Sequence, residues 1–193
     1  MIIKVRGAKN KKLVKWLKLA AQFYCDELMP DDLSRSLLLN IKIQPNTSHF
    51  RYKADCMWDD FTPPPSPTEF NIRIVKEQDG DEHFYFKSLA HEMVHVKQFA
   101  TNQLDGIYGK GNTHEWNGPS FNIPSKRYPK EEKRKGYTIH GYDTKVILDA
   151  DDKDYYFQPW EIEAYGLEVG LIAYFVEEYG DDIPFGKKAH DWD

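Results

Sequence analysis

The chain is poor in cysteine. Cys25 and Cys56 cannot build a disulfide framework, and their spacing fits no metal motif. Two reduced thiols in a cytoplasmic protein are the expectation. Long apolar runs are missing too: no stretch approaches the ~20 residues of a bilayer-crossing helix. The opening MIIKVRGAKNKK has no apolar core followed by a small-residue cleavage site, so no secretory signal is read and cytoplasmic residence is expected. Nor is there an excess of positive charge. A net charge of −5 argues against a general nucleic-acid binder, although a local basic patch is compatible with it.

What remains is a globular composition. The 193 residues, 40% hydrophobic and 30% charged, suit one domain with a sizeable core. Aromatics reach 15%, with twelve Tyr and five Trp, enough for a packed core or an aromatic-lined groove. No internal repeat or domain boundary is visible. A single domain over 1–180 with a tail over 181–193 is expected.

Periodicity places the elements. Leu13, Leu17, Ala20, Ala21, Tyr24 and Leu28 fall at helical spacing within 10–29, with Lys on the opposite face and Pro30 as the stop. Residues 37–43, 48–58 and 68–76 are strand-like; Phe70, Ile72 and Ile74 alternate with polar residues. Four prolines in five residues make the segment between the last two strands an exposed loop. Residues 81–102 predict a helix of about five turns that an Asn near its end could cap. The long polar stretch 105–140 has no clear period. Residues 144–150 could form a short strand, and 159–179 predict a second long helix opened by Pro159. The fold class expected from this order is α+β.

The first of those long helices contains HEMVH, an instance of H-E-x-x-H. With 7 His and 13 Glu, a shuffled chain would contain the pattern only about 0.02 times, so chance is a poor explanation. His91 and His95 sit one turn apart on one face and can converge on a single zinc ion at ~2.0–2.1 Å each. Glu92 borders that face and can reach a metal-bound water without being a ligand. Zinc lowers the pKa of that water toward ~7; Glu92 can then take its proton and return it to the leaving amine of a cleaved peptide bond.

Two histidines do not complete a catalytic zinc site, which uses three protein ligands. Glu161 and Glu163, in PWEIEAYG, open the second long helix, and either carboxylate could face the first. Both could equally be acids that favour the helix dipole.

HEMVH followed by a helix carrying E-x-x-A resembles the gluzincin branch of the zincin metallopeptidases. The resemblance covers roughly residues 84–175. It implies a zincin-like single domain in which a small twisted sheet carries an N-terminal helix, a metal-binding helix and a C-terminal Glu-bearing helix. It also implies Glu161 as third ligand, Ala164 as the small residue after it, and a protein or peptide as substrate. The pairing of HEMVHVKQ with PWEIEAYG also looks like small metallopeptidase-like proteins of bacteriophages. Gluzincins often have Asp directly after the small residue, hydrogen-bonded to a zinc histidine. Tyr165 stands there in this chain, which leaves that partner unassigned. A second resemblance, of LAHEMVHVKQFATN and HEWNGPSF to the SprT-like proteases that cleave DNA-crosslinked proteins, implies His114 as third ligand. In that family His directly precedes Gly, whereas Glu115, Trp116 and Asn117 intervene here.

Other residues complete the expectations. An oxyanion donor could come from His140, Tyr142, Tyr155 or Tyr156. The segment 125–135, SKRYPKEEKRK, has six basic residues that could meet phosphates, diluted by Glu131 and Glu132. In the zincin fold an edge strand pairs with extended substrate, a role that would fall to 68–76. The function expected is zinc-dependent peptide hydrolysis. The alternatives are a SprT-like, DNA-associated protease and a catalytically idle metal-binding interaction module. Zinc is the metal expected, although Mn²⁺ or Co²⁺ suits the same ligands.

Overall fold

The computed structural model describes residues 1–45, 53–58, 68–76, 81–107, 113–117, 120–122, 137–138, 145–146 and 158–183. The Pro-rich loop, the basic segment 125–135, His140, Tyr142, Tyr155, Tyr156 and the tail from 184 onward lie outside the described residues. By internal contacts the chain divides into two compact units, Met1–Ala100 with Ala164–Asp193, and Thr101–Glu163.

The first unit is α+β. In chain order it contains β1 (Ile2–Arg6), α1 (Lys11–Leu28), α2 (Asp31–Ser36), β2 (Leu38–Gln44), β3 (Ala54–Trp58), β4 (Glu69–Val75) and α3 (Glu82–Ala100). The four strands form one sheet in the order β1-β2-β4-β3. β1, β2 and β4 run parallel, and β3 is antiparallel to β4. Joining parallel strands requires a crossover, and α1 lies in the connection from β1 to β2.

Helix α1 forms for the reasons its sequence suggests. The Asn10 side chain accepts from the backbone N–H of Lys12 at 2.9 Å and of Leu13 at 3.4 Å, which caps the start. Leu13, Leu17, Ala20, Ala21 and Tyr24 are all buried, and the extended Met29 ends the helix before Pro30. Neither β1 nor α2 was legible in the pattern. β1 is short, and its alternation only gains meaning beside β2. Gly7 follows it at φ 87°, where a Cβ would lie 1.9 Å from the Ile43 carbonyl oxygen, so only glycine fits.

The sheet corrects one expectation. Residues 69–75 are not an edge strand: β4 is paired on both sides, and β3 is the antiparallel edge. Alternation reveals which face of a strand is buried, and Phe70, Ile72 and Ile74 are indeed fully buried. It does not reveal which hydrogen-bonding edge finds a neighbour, because that neighbour is distant in sequence. The described part of the 48–58 run is strand only from Ala54. Asp55 stands opposite Arg73 and accepts from its Nε at 2.7 Å, and a second bond from the guanidinium makes the pair bidentate.

The second unit corrects another. The stretch 105–140, read as having no clear period, contains β5 (Leu104–Ile107), β6 (Thr113–Trp116) and β7 (Ser120–Asn122) in an antiparallel sheet. β8 (Tyr137–Thr138) pairs with β9 (Lys145–Val146), the only described part of the strand expected over 144–150. Strands of two to four residues place at most two side chains on each face, too few to establish a period.

Helix α4 (Pro159–Tyr179) is continuous, and the division between units falls inside it, between Glu163 and Ala164. Among its buried positions, Glu161, Ala164, Glu168, Leu171, Ile172 and Phe175 follow helical spacing. This stripe is acidic toward the N-terminus and apolar toward the C-terminus. A 3₁₀ turn, Gly180–Asp182, follows. Among the described residues no helix is long and apolar enough to cross a membrane.

Phe175 anchors the apolar half. It is 0% exposed, stacks on Phe86 at 5.9 Å, and meets Trp16, Phe23 and Tyr24 edge-on at 6.2, 5.5 and 5.8 Å. Phe175→Ala is expected to cost about 3–5 kcal/mol, the sum of lost transfer energy and an unfilled cavity. Urea denaturation measures this, and a loss below about 1 kcal/mol would mean that the cluster contributes little.

The same core predicts alkaline sensitivity. Burial, and secondarily the Asp26 charge, pushes the Cys25 thiol from its ordinary 9.0 up to about 12, against a smaller opposite effect of the N-terminal ammonium. Burial also raises the Tyr24 hydroxyl. Between its unfolded and folded values the Cys25 thiol holds more proton in the native state. Its contribution is therefore complete below about pH 9 and is lost as pH rises toward 12. Cys25→Ala should flatten the decline in urea midpoint between about pH 8 and pH 10.5; an unchanged slope would show that the thiol titrates alike in the folded and unfolded states.

Candidate metal centre

His91 and His95 lie in the middle of α3. Leu89, Ala90, Met93, Val94 and Val96 around them are each 0% exposed. From 89 to 96 every residue is buried, so the polar side chains in this turn are withdrawn from water and need partners. His91 Nδ1 lies 3.1 Å from Glu168 Oε2, and His95 Nδ1 lies 2.8 Å from Gln98 Oε1. An acceptor at each Nδ1 assigns the ring proton to that nitrogen and the lone pair to Nε2, the form in which neutral imidazole binds a metal. The two partners differ in kind: His91 faces a carboxylate and His95 a neutral amide.

Glu161 is 3% exposed in the first turn of α4. His91, His95 and Glu161 each offer a ligand atom, and these atoms all lie within 4.8 Å of one another. Ligand atoms around a tetrahedral ion at ~2.0–2.1 Å stand roughly 3.3 Å apart, so small side-chain adjustments close the group on one ion. Two imidazoles and a carboxylate are a fitting donor set for zinc and for neighbouring divalent metals. The structure brings these three residues together; it does not identify the metal.

The other candidates are placed differently. Glu163 lies two positions after Glu161, roughly 200° further round the helix. It accepts from Gln103 Nε2 at 3.2 and 3.1 Å and is not part of the group. His114 lies in β6, opposite Gly106 on one side and Phe121 on the other.

Glu92 is 4% exposed. Its carboxylate is near enough to β3 to act on Cys56, whose thiol is pushed well up, first by burial, then by the Glu92 charge and then by Asp55. Glu92 is thus a buried acid one residue after His91, on a helix that packs against the edge strand. Both cysteines are free thiols.

Two residues around this group were not anticipated from the sequence. Gln98 is three positions after His95, and Glu168 is seven after Glu161, two turns further along the same stripe. Helical spacing was the available signal for both. The resemblance to gluzincins leaves the position after Ala164 without its Asp. Tyr165 occupies that position and lays its ring 4.5 Å from the His91 ring, while the carboxylate for His91 comes from one turn later. No family model, curated protein or solved structure matches the chain.

Proposed function

We propose that the protein is a zinc-dependent peptidase whose metal is held by His91, His95 and Glu161, with Glu92 as general base and acid. One observation carries this reading: a buried His–His–carboxylate group with a further buried carboxylate next to His91 in the same helix turn. A purely structural site has no use for that fourth polar group. Buried acids cost free energy, and one placed beside a ligand set is best understood as a proton carrier.

Bound zinc would act as a Lewis acid that makes water nucleophilic near neutral pH and polarises a carbonyl. Glu92 takes a proton from the attacking water as the C–O bond forms, then delivers it to the amine nitrogen as the C–N bond breaks. The Nδ1 bonds hold both imidazoles in the metal-binding tautomer. Among the described residues β3 has an unpaired outer edge, and an extended peptide can add to it by main-chain hydrogen bonds. A mixed sheet with one antiparallel edge strand, a motif helix and a carboxylate-bearing helix is compatible with a zincin-like fold.

The test is to load wild type and Glu92→Gln with zinc and incubate each with an unfolded protein. New amino termini are then counted by mass spectrometry. Cleavage by wild type alone supports the reading; no cleavage by either, or equal cleavage by both, sinks it.

A further inference from the structure

We infer that Glu168 is a positioning residue for His91 and that Lys87, through Glu168, moderates how tightly the site holds its metal. The inference rests on the metal-site reading above and adds the groups that tune it.

The geometry is specific. Glu168 is nearly buried, with 6% of its side chain exposed, and its two oxygens have separate tasks. Oε2 meets His91 Nδ1 at 3.1 Å, and Oε1 meets Lys87 Nζ at 3.4 Å. Lys87 lies one turn before His91 on α3, and its side chain is 49% exposed. One carboxylate of α4 therefore spans two successive turns of α3. A buried carboxylate must be paired, and breaking such a pair leaves an uncompensated charge. His91 and Lys87 supply the pairing.

The charges have opposite effects on a cation. Glu168 makes the His91 ring a stronger donor and adds negative charge next to the site. Lys87 offsets that charge from the solvent side. The acceptor at His95 Nδ1, Gln98 Oε1, is a neutral amide oxygen. Losing Glu168 should weaken metal binding, whereas losing Lys87 should strengthen it. A merely structural contact would not reverse sign in this way.

The experiment uses the full chain with substitutions Glu168→Leu, Glu168→Gln and Lys87→Met. The first readout needs no metal: nitrogen-15 NMR of the imidazoles near pH 8, well above the ordinary imidazole pKa of ~6.5. His91 should show the Nδ1–H tautomer in wild type, keep it in Glu168→Gln, where an acceptor oxygen remains, and lose it in Glu168→Leu. The second is zinc affinity by competition with a chromophoric chelator. Glu168→Leu should weaken binding roughly 10- to 100-fold, the usual effect of removing such a partner. Glu168→Gln should fall between that variant and wild type. Lys87→Met should tighten binding roughly two- to fivefold, the scale of a partly exposed ion pair. If Glu168→Leu does not fold, the wild-type tautomer still tests the positioning role, and the zinc affinities of the other two variants still test the tuning.

An Nε2–H tautomer in wild type, or a tautomer unmoved by Glu168→Leu, overturns the positioning role. Weakened binding in Lys87→Met overturns the tuning. A wild type that takes up no zinc refutes the metal-site reading and the tuning with it, while the metal-free NMR still decides whether Glu168 positions His91.

Discussion

Glu92→Gln should leave fold and bound metal in place and lower kcat by about 10²–10⁴-fold, the contribution of a positioned general base and acid. Gln has nearly the same shape as Glu, so the packed turn around it does not have to move. Residue 92 is outside the group that can hold the ion, so zinc content should stay near one per chain. Glutamine cannot take a proton from water, and the loss should fall on kcat rather than on KM. Steady-state rates on a fluorogenic peptide, together with zinc content on the same samples, check both halves. A variant within about tenfold of wild type in kcat would remove Glu92 from the chemistry. A variant that loses its zinc would reassign Glu92 to the metal.

The second large effect belongs to Glu161. Glu161→Ala should take zinc content from about one per chain to near zero after dialysis, because two imidazoles alone do not complete a protein zinc site. Glu163→Ala and His114→Ala should keep their zinc. Thermal unfolding gives an independent reading. Metal that binds only the folded chain stabilises it, so a chelator should lower the Tm of wild type and leave that of Glu161→Ala unchanged. Elemental analysis of the three variants separates the ligand assignments. Loss of zinc with His114→Ala alone would move the third ligand to β6 and revive the reading as a DNA-associated protease. Unchanged zinc in Glu161→Ala would dismiss the site as described.

The sequence alone determined the elements whose period is long enough to read. The two helices that carry the centre, Glu82–Ala100 and Pro159–Tyr179, stand out because five or six turns repeat the same pattern. HEMVH put His91 and His95 one turn apart on one helix face, since spacing within one helix is a local property. Even Asn102, which follows α3, has the left-handed φ of 57° that suits an Asn ending a helix. The strands of the second unit are too short to leave a period in the sequence.

Tertiary structure decided the rest. Glu161 and Glu163 are equivalent to any sequence rule; the buried stripe of α4 chose the first and left the second to Gln103. That β3 rather than β4 forms the sheet edge depends on strand order, which alternation does not encode. The carboxylate on His91 comes from 77 residues away, and only the packing of α4 against α3 brings Glu168 to it. Local spacing places side chains on a face, but long-range contact determines what that face meets, because side chains far apart in sequence are brought together only by the folded chain.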